Sequence, residues 1–149
     1  MEEQYRIGWH IKVISNLIKR EVGNYGCEKY LDELTGNNMF IIGHLARYGE
    51  KDIFQKDLEE VFSVRRSTMS AIILRMEKKG FLTRESVSYD ARLKKLVLTE
   101  KGKRIHEMIE SRITETEEKL SAGLSEDEKK LLFLLLEKLR HNLETDNRN

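Results

Sequence analysis

The sequence predicts a mainly α-helical chain carrying one small β-hairpin, and three observations carry that prediction. Apolar residues recur at helical spacing along most of the chain. One stretch, Phe81 to Leu98, departs from this with short β-prone runs around a polar tip, Ser88-Tyr89-Asp90-Ala91-Arg92. None of the 149 residues is proline, which suits long helices without kinks.

The first helical stripe is Ile7, Ile11, Ile14, Leu17 and Ile18. Trp9 and Val13 widen it beyond the needs of a surface helix, so a partner is implied. Next, Phe54, Leu58, Val61 and Phe62 mark one face of a short helix whose other face, Gln55, Lys56, Asp57, Glu59 and Glu60, is left to water. After a break near Ser63 and Val64, Met69, Ile72, Ile73 and Met76 form a second stripe that stops at Gly80, a residue suited to the left-handed C-terminal position. So short a turn requires the two helices to cross steeply. The far face of the second helix carries Arg66, Ser67, Thr68, Ser70, Ala71 and Arg75, small or hydrogen-bonding side chains that can enter a major groove and touch base edges.

The hairpin follows. Phe81–Val87 and Lys94–Leu98 are the expected strands and Ser88–Leu93 the tip, with Leu82, Leu96 and Leu98 toward a core and Arg84, Glu85 and Lys95 outward. Helix, turn, helix and hairpin in this order are what a DNA-reading winged helix-turn-helix needs, so double-stranded DNA is the expected partner. An arginine at a hairpin end reaches a narrow minor groove, and a nearby carboxylate fixes its guanidinium, so Arg92 would insert and Asp90 would orient it. Both also suit an ordinary turn. Residues 55–104 carry 13 Lys and Arg against 7 Asp and Glu, while the rest of the chain carries 14 against 19. The basic charge thus gathers where DNA would lie, and Lys78, Lys79, Arg84, Lys94, Lys95, Lys101, Lys103 and Arg104 are the candidate phosphate contacts.

Asp90-Ala91-Arg92 followed by Leu98-Thr99-Glu100-Lys101-Gly102 resembles the MarR family of bacterial transcriptional regulators, whose wing commonly carries Asp-x-Arg and leads into Leu-Thr-x-x-Gly. The resemblance covers nearly the whole chain. It implies a single unit, 1–149, with a DNA-binding region at 35–98 and dimerising helices at 1–34 and 99–149. It also implies a regulator, more often a repressor, that works without catalysis.

In the downstream flank, Thr99 can cap a helix bearing Ile105, Met108, Ile109, Ile113 and Leu120, roughly 30 Å long. A capping-box pattern, Ser125-Glu126-Asp127-Glu128, opens the last helix. Its run Leu131-Leu132-Phe133-Leu134-Leu135-Leu136, with Leu139 and Leu143 beyond, covers every side of a helix and must be buried all round. Either the N-terminal helix of the same chain wraps it, or N- and C-terminal helices of two subunits pack together, which the resemblance also implies. A two-fold dimer matches a pseudo-palindromic operator.

With 39% hydrophobic and 36% charged residues, no apolar run of bilayer length and no signal-peptide layout, a cytoplasmic protein without membrane contact is expected. One cysteine, Cys27, excludes an intrachain disulfide. A branch of the resembled family senses peroxides through a lone N-terminal cysteine; an inert thiol is the other reading of Cys27. The four histidines, His10, His44, His106 and His141, lie on separate helices, and although His106 and Glu110 stand four apart, neither a metal nor a cofactor is expected. No phosphate-binding glycine loop or nucleophile elbow supports an enzyme. Many relatives in the resembled family respond to small aromatic or phenolic anions, for which Trp9, His10, Tyr30, Met39, His44 and Tyr48 are the candidate crevice, each being equally able to serve as core. A winged helix that binds protein in place of DNA is the alternative from another class.

Overall fold

A computed structural model describes residues 6–23 and 36–146 of the chain. Its elements are α1 (Ile7–Gly23), α2 (Gly36–Tyr48), α3 (Gln55–Phe62), α4 (Arg66–Lys78), β1 (Leu82–Val87), β2 (Asp90–Leu98), α5 (Glu100–Ser121) and α6 (Glu126–Asp146). Two compact units divide the chain, Met1–Thr114 and Glu115–Asn149. Tyr30 and Cys27 lie outside the described residues. No described helix is long and apolar enough to cross a membrane.

The first unit is built around one apolar cluster. Ile41, Ile42 and Leu45 of α2 meet Leu58 of α3, the Met69, Ile72, Ile73 and Met76 stripe of α4, Leu82, Leu96 and Leu98 of the hairpin, and Ile105 and Ile109 of α5. The α4 stripe and the three hairpin leucines read from the sequence therefore face the core; of the α3 stripe, Leu58 is fully buried and Phe62 packs against the cluster, while Val61 stays 44% exposed. At the end of α4, Gly80 takes φ 78° and lets the Phe81 amide bond the Met76 carbonyl at 3.0 Å.

The junction from hairpin to α5 accounts for the Leu-Thr-x-x-Gly run. Thr99 donates its hydroxyl to the Gly80 carbonyl, its amide bonds Phe81 O at 3.1 Å, and its Oγ1 accepts the Gly102 amide at 3.1 Å. Thr99 is thus the N-cap of α5 and also ties that helix to the end of α4. A Cβ on Gly102 would stand 2.2 Å from Phe81 O, so only glycine permits so close an approach. Lys101, a candidate phosphate contact in the sequence, instead donates to Lys79 O at 2.8 Å and lies over the Phe81 ring at 4.9 Å. The carbonyls left open at a helix end attract such a cation.

The hairpin differs from expectation at its tip. The antiparallel register pairs Leu82 with Leu98 through Ser86 with Lys94, then jumps so that Val87 pairs with Asp90. The tip is therefore the two residues Ser88 and Tyr89, and Ala91, Arg92 and Leu93 belong to β2, bulging opposite the Ser86–Val87 peptide. Local composition could not show this, because register depends on the facing strand. Phe54 bridges to Lys95, and the Leu96 amide donates to Ile53 O at 2.8 Å, so the segment before α3 anchors the outer edge of β2.

In the second unit, Gly123 takes φ 80° and precedes α6. Both bonds of the expected capping box form: the Ser125 amide to Glu128 Oε2 at 2.8 Å and the Glu128 amide to Ser125 Oγ at 3.2 Å. The run Leu131–Leu136 is 43 to 63% exposed at every position.

Candidate nucleic-acid interface

The two helices that would carry the interface are set by short local contacts. Asp57 Oδ2 accepts the Phe54 amide at 2.8 Å and starts α3. Ser63, at φ 48°, turns the chain in the left-handed region before α4 begins. Across the turn, Gln55 Nε2 donates to Ser70 Oγ at 2.8 Å. This places Ser70, one of the six candidate readers, half-buried and engaged from α3, where it positions α4. The other five, Arg66, Ser67, Thr68, Ala71 and Arg75, are exposed. Among the described residues no carboxylate pairs with Arg66, Arg75 or Lys78.

The wing is organised around Asp90. Its Oδ1 accepts the Arg92 amide at 2.9 Å and Arg92 Nε at 3.1 Å, and its Oδ2 accepts Arg92 Nη2 at 3.0 Å. The Arg92 side chain is 89% exposed and that of Asp90 only 26%, so the carboxylate holds the guanidinium from below and leaves its far edge open. These bonds lower the Asp90 pKa and raise that of Arg92.

Three other wing cations are occupied. Arg84 shares the Leu82 and Leu96 face of the hairpin by register, and its guanidinium reaches Glu77 of α4 at 3.6 Å. Lys94 donates to Ser86 Oγ at 2.6 Å. Lys95 is tethered to Asp52 Oδ1 at 3.2 Å, while the Tyr89 hydroxyl donates to Asp52 Oδ2 at 2.9 Å. Asp52 is accordingly held below its ordinary pKa, first by the Tyr89 hydroxyl and then by Lys95, and Tyr89 is raised by desolvation and by the same carboxylate. Asp52 and Tyr89 escaped the sequence reading because the bond joins residues 37 apart.

The residues expected to line an effector crevice are dispersed in role. Met39 is buried in the core. Trp9 and His10 meet edge to face at 4.9 Å on α1, and His44 packs near Tyr48 at 4.8 Å and Phe62 at 5.8 Å. Desolvation first, then Arg47, lowers the His44 pKa. A separate cleft of about 420 Å³, unforeseen from the sequence, opens between the end of α2, β2 and the start of α5, where Leu45, Ala46, Leu96 and Leu98 meet Lys103 and His106, with Glu50 and Glu107 also lining it. His106 Nε2 stands 3.5 Å from Glu110 Oε2; among the described residues no group of three or more His, Cys, Asp or Glu residues is placed to hold a metal ion.

An amphipathic helix pair with a cationic outer face, followed by a hairpin that displays an oriented arginine, defines a winged helix-turn-helix protein. A model of the MarR family matches residues 33–93. The transcription regulator MarR from Oenococcus oeni PSU-1 is 32% identical and superposes with a TM-score of 0.80, covering 91% of this chain and 99% of that one. The chain belongs to the MarR family. Its fold is shared by Staphylococcus aureus MepR, solved in complex with DNA (22% identity, TM-score 0.81, covering 94% of this chain and 98% of that one), and by PcaV from Streptomyces coelicolor, solved with its natural ligand (21% identity, TM-score 0.78, covering 95% and 96%).

Proposed function

We propose that this protein is a sequence-specific transcriptional regulator that binds double-stranded DNA as a homodimer and represses by occupying a pseudo-palindromic operator. The observation that carries the reading is the outward face of α4, small at Ser67, Thr68 and Ala71 and cationic at Arg66 and Arg75, together with an exposed Arg92 that Asp90 orients. In this reading α4 enters the major groove and Arg92 the adjacent minor groove. Residues 35–98 read DNA; 1–34 and 99–149 form the dimer. The exposed faces of α1 (Ile7, Ile11, Ile14, Leu17) and α6 (Leu131–Leu136) supply the apolar surface for a second subunit. A small aromatic or phenolic anion is the effector class, and the cleft between Leu45, Ala46, Leu96 and Leu98 offers it apolar walls, with Lys103 as a cation among the carboxylates Glu50 and Glu107 that also line it.

Selection of bound duplexes from a randomised pool, followed by anisotropy titration of the winner at several salt concentrations, tests this. A pseudo-palindrome bound with steep salt dependence is expected; equal, weak binding to every duplex overturns it. Leu135→Asp places a carboxylate in the proposed subunit interface, so the variant should be monomeric by light scattering and lose the palindrome. A dimeric Leu135→Asp would refute this interface.

A further inference from the structure

We infer that Leu74 reads the methyl group of a thymine in the major groove, an inference that rests on α4 being the reading helix. At about 100° per residue, Ser67, Ala71, Leu74 and Lys78 fall in one strip about 60° wide, turned away from the side of α4 that enters the core. Leu74 is 46% exposed within that strip. A single exposed leucine is common on protein surfaces, so the surroundings decide. Ser67 and Ala71 are small enough to let the helix approach closely. Lys78 lies within the strip, Arg75 about 40° beyond its Ala71 edge and Arg66 about 80° beyond its Leu74 edge; among the described residues none of the three has a carboxylate to hold it back from phosphates.

A helix seated to that depth carries Leu74 against base edges. The major groove presents one apolar group, the thymine C5-methyl; cytosine presents its N4 amino donor instead. A leucine gains by covering the methyl and loses by desolvating the amino group, so it discriminates between pyrimidines without a hydrogen bond. Contact with a methyl requires an exposed apolar side chain on the reading face, which is the feature that a purely polar groove face would lack.

Replacing each thymine of the selected operator in turn with deoxyuridine removes only the methyl group and keeps the base pair. Anisotropy titrations of the wild type should show about four-fold weaker binding for each methyl lost at one position per half-site. Leu74→Ala should bind the thymine duplex more weakly and be indifferent to uracil at that position. The variant keeps its helix, because alanine is the better helix former, and circular dichroism checks this. Specific, salt-steep binding by the wild type with no uracil penalty at any thymine overturns the role of Leu74 alone. A uracil penalty that persists undiminished in Leu74→Ala does the same. No preference of the wild type for any selected duplex overturns the reading of α4 and, with it, this inference.

Discussion

On α4 the cations Arg66, Arg75 and Lys78 project from a rigid helix with no carboxylate beside them among the described residues, whereas on the hairpin Arg84, Arg92, Lys94 and Lys95 each have a partner. The contrast follows from the elements themselves. A helix packed on one face fixes the direction of every side chain on the other. A two-stranded ribbon has little stability alone, and tethers from neighbouring segments give it a defined position. The Asp52 contacts to Tyr89 and Lys95 and the Glu77 contact to Arg84 are such tethers. A count of basic residues therefore overstates the charge available to DNA, and more so on the wing than on the helix.

The largest effect that would sharpen this contrast is expected from Arg92→Ala. Arg92 is the wing cation whose partner orients it outward, so its loss should weaken operator binding roughly ten- to a hundred-fold and leave thermal unfolding unchanged. Arg92→Lys should recover little of that, since an ammonium cannot use both Asp90 oxygens in a planar fork. Normal affinity in a folded Arg92→Ala variant would remove the wing from the interface.

A smaller effect separates helix from hairpin directly. Lys78→Ala should lower the slope of log affinity against log salt by about 0.9 for each phosphate contact removed, whereas Lys95→Ala should change it by less than half as much, because Lys95 is already neutralised by Asp52. Equal slopes for the two variants would mean that the Asp52 tether opens on DNA.

What the sequence made legible and what it did not divide along the same line. The α4 stripe, Leu58 and Phe62 of the α3 stripe, Gly80 and the Ser125 capping box are local patterns, decided within a few residues, and all are present in the structure. The Thr99 cap and the Asp90–Arg92 pair are equally short-range. The two-residue tip was hidden because a bulge in β2 is defined only against β1. Lys101 and Lys95 looked like phosphate contacts because their partners, Lys79 O and Asp52, stand 22 and 43 residues away. Leu74 was missed for another reason: an apolar residue on an amphipathic helix is credited to the core until its angular position is worked out.

The smallest effect comes from releasing a tether. Asp52→Asn keeps an oxygen that can accept from Tyr89 but removes the charge that holds Lys95, so the variant should bind all duplexes slightly more tightly and with a salt slope steeper by less than one. The pH dependence has a definite sign. The Asp52 pKa is lowered in the folded chain, so the tether's contribution to wing stability is fully present above the ordinary carboxylate value of about 3.9 and is lost as pH falls through the lowered one. The wild-type slope should consequently be the same at pH 7 and pH 5.5, and the difference between wild type and Asp52→Asn should persist at both. An Asp52→Asn variant whose slope matches the wild type at both pH values would show that Lys95 is kept from DNA by its position on the hairpin, with the ion pair adding nothing.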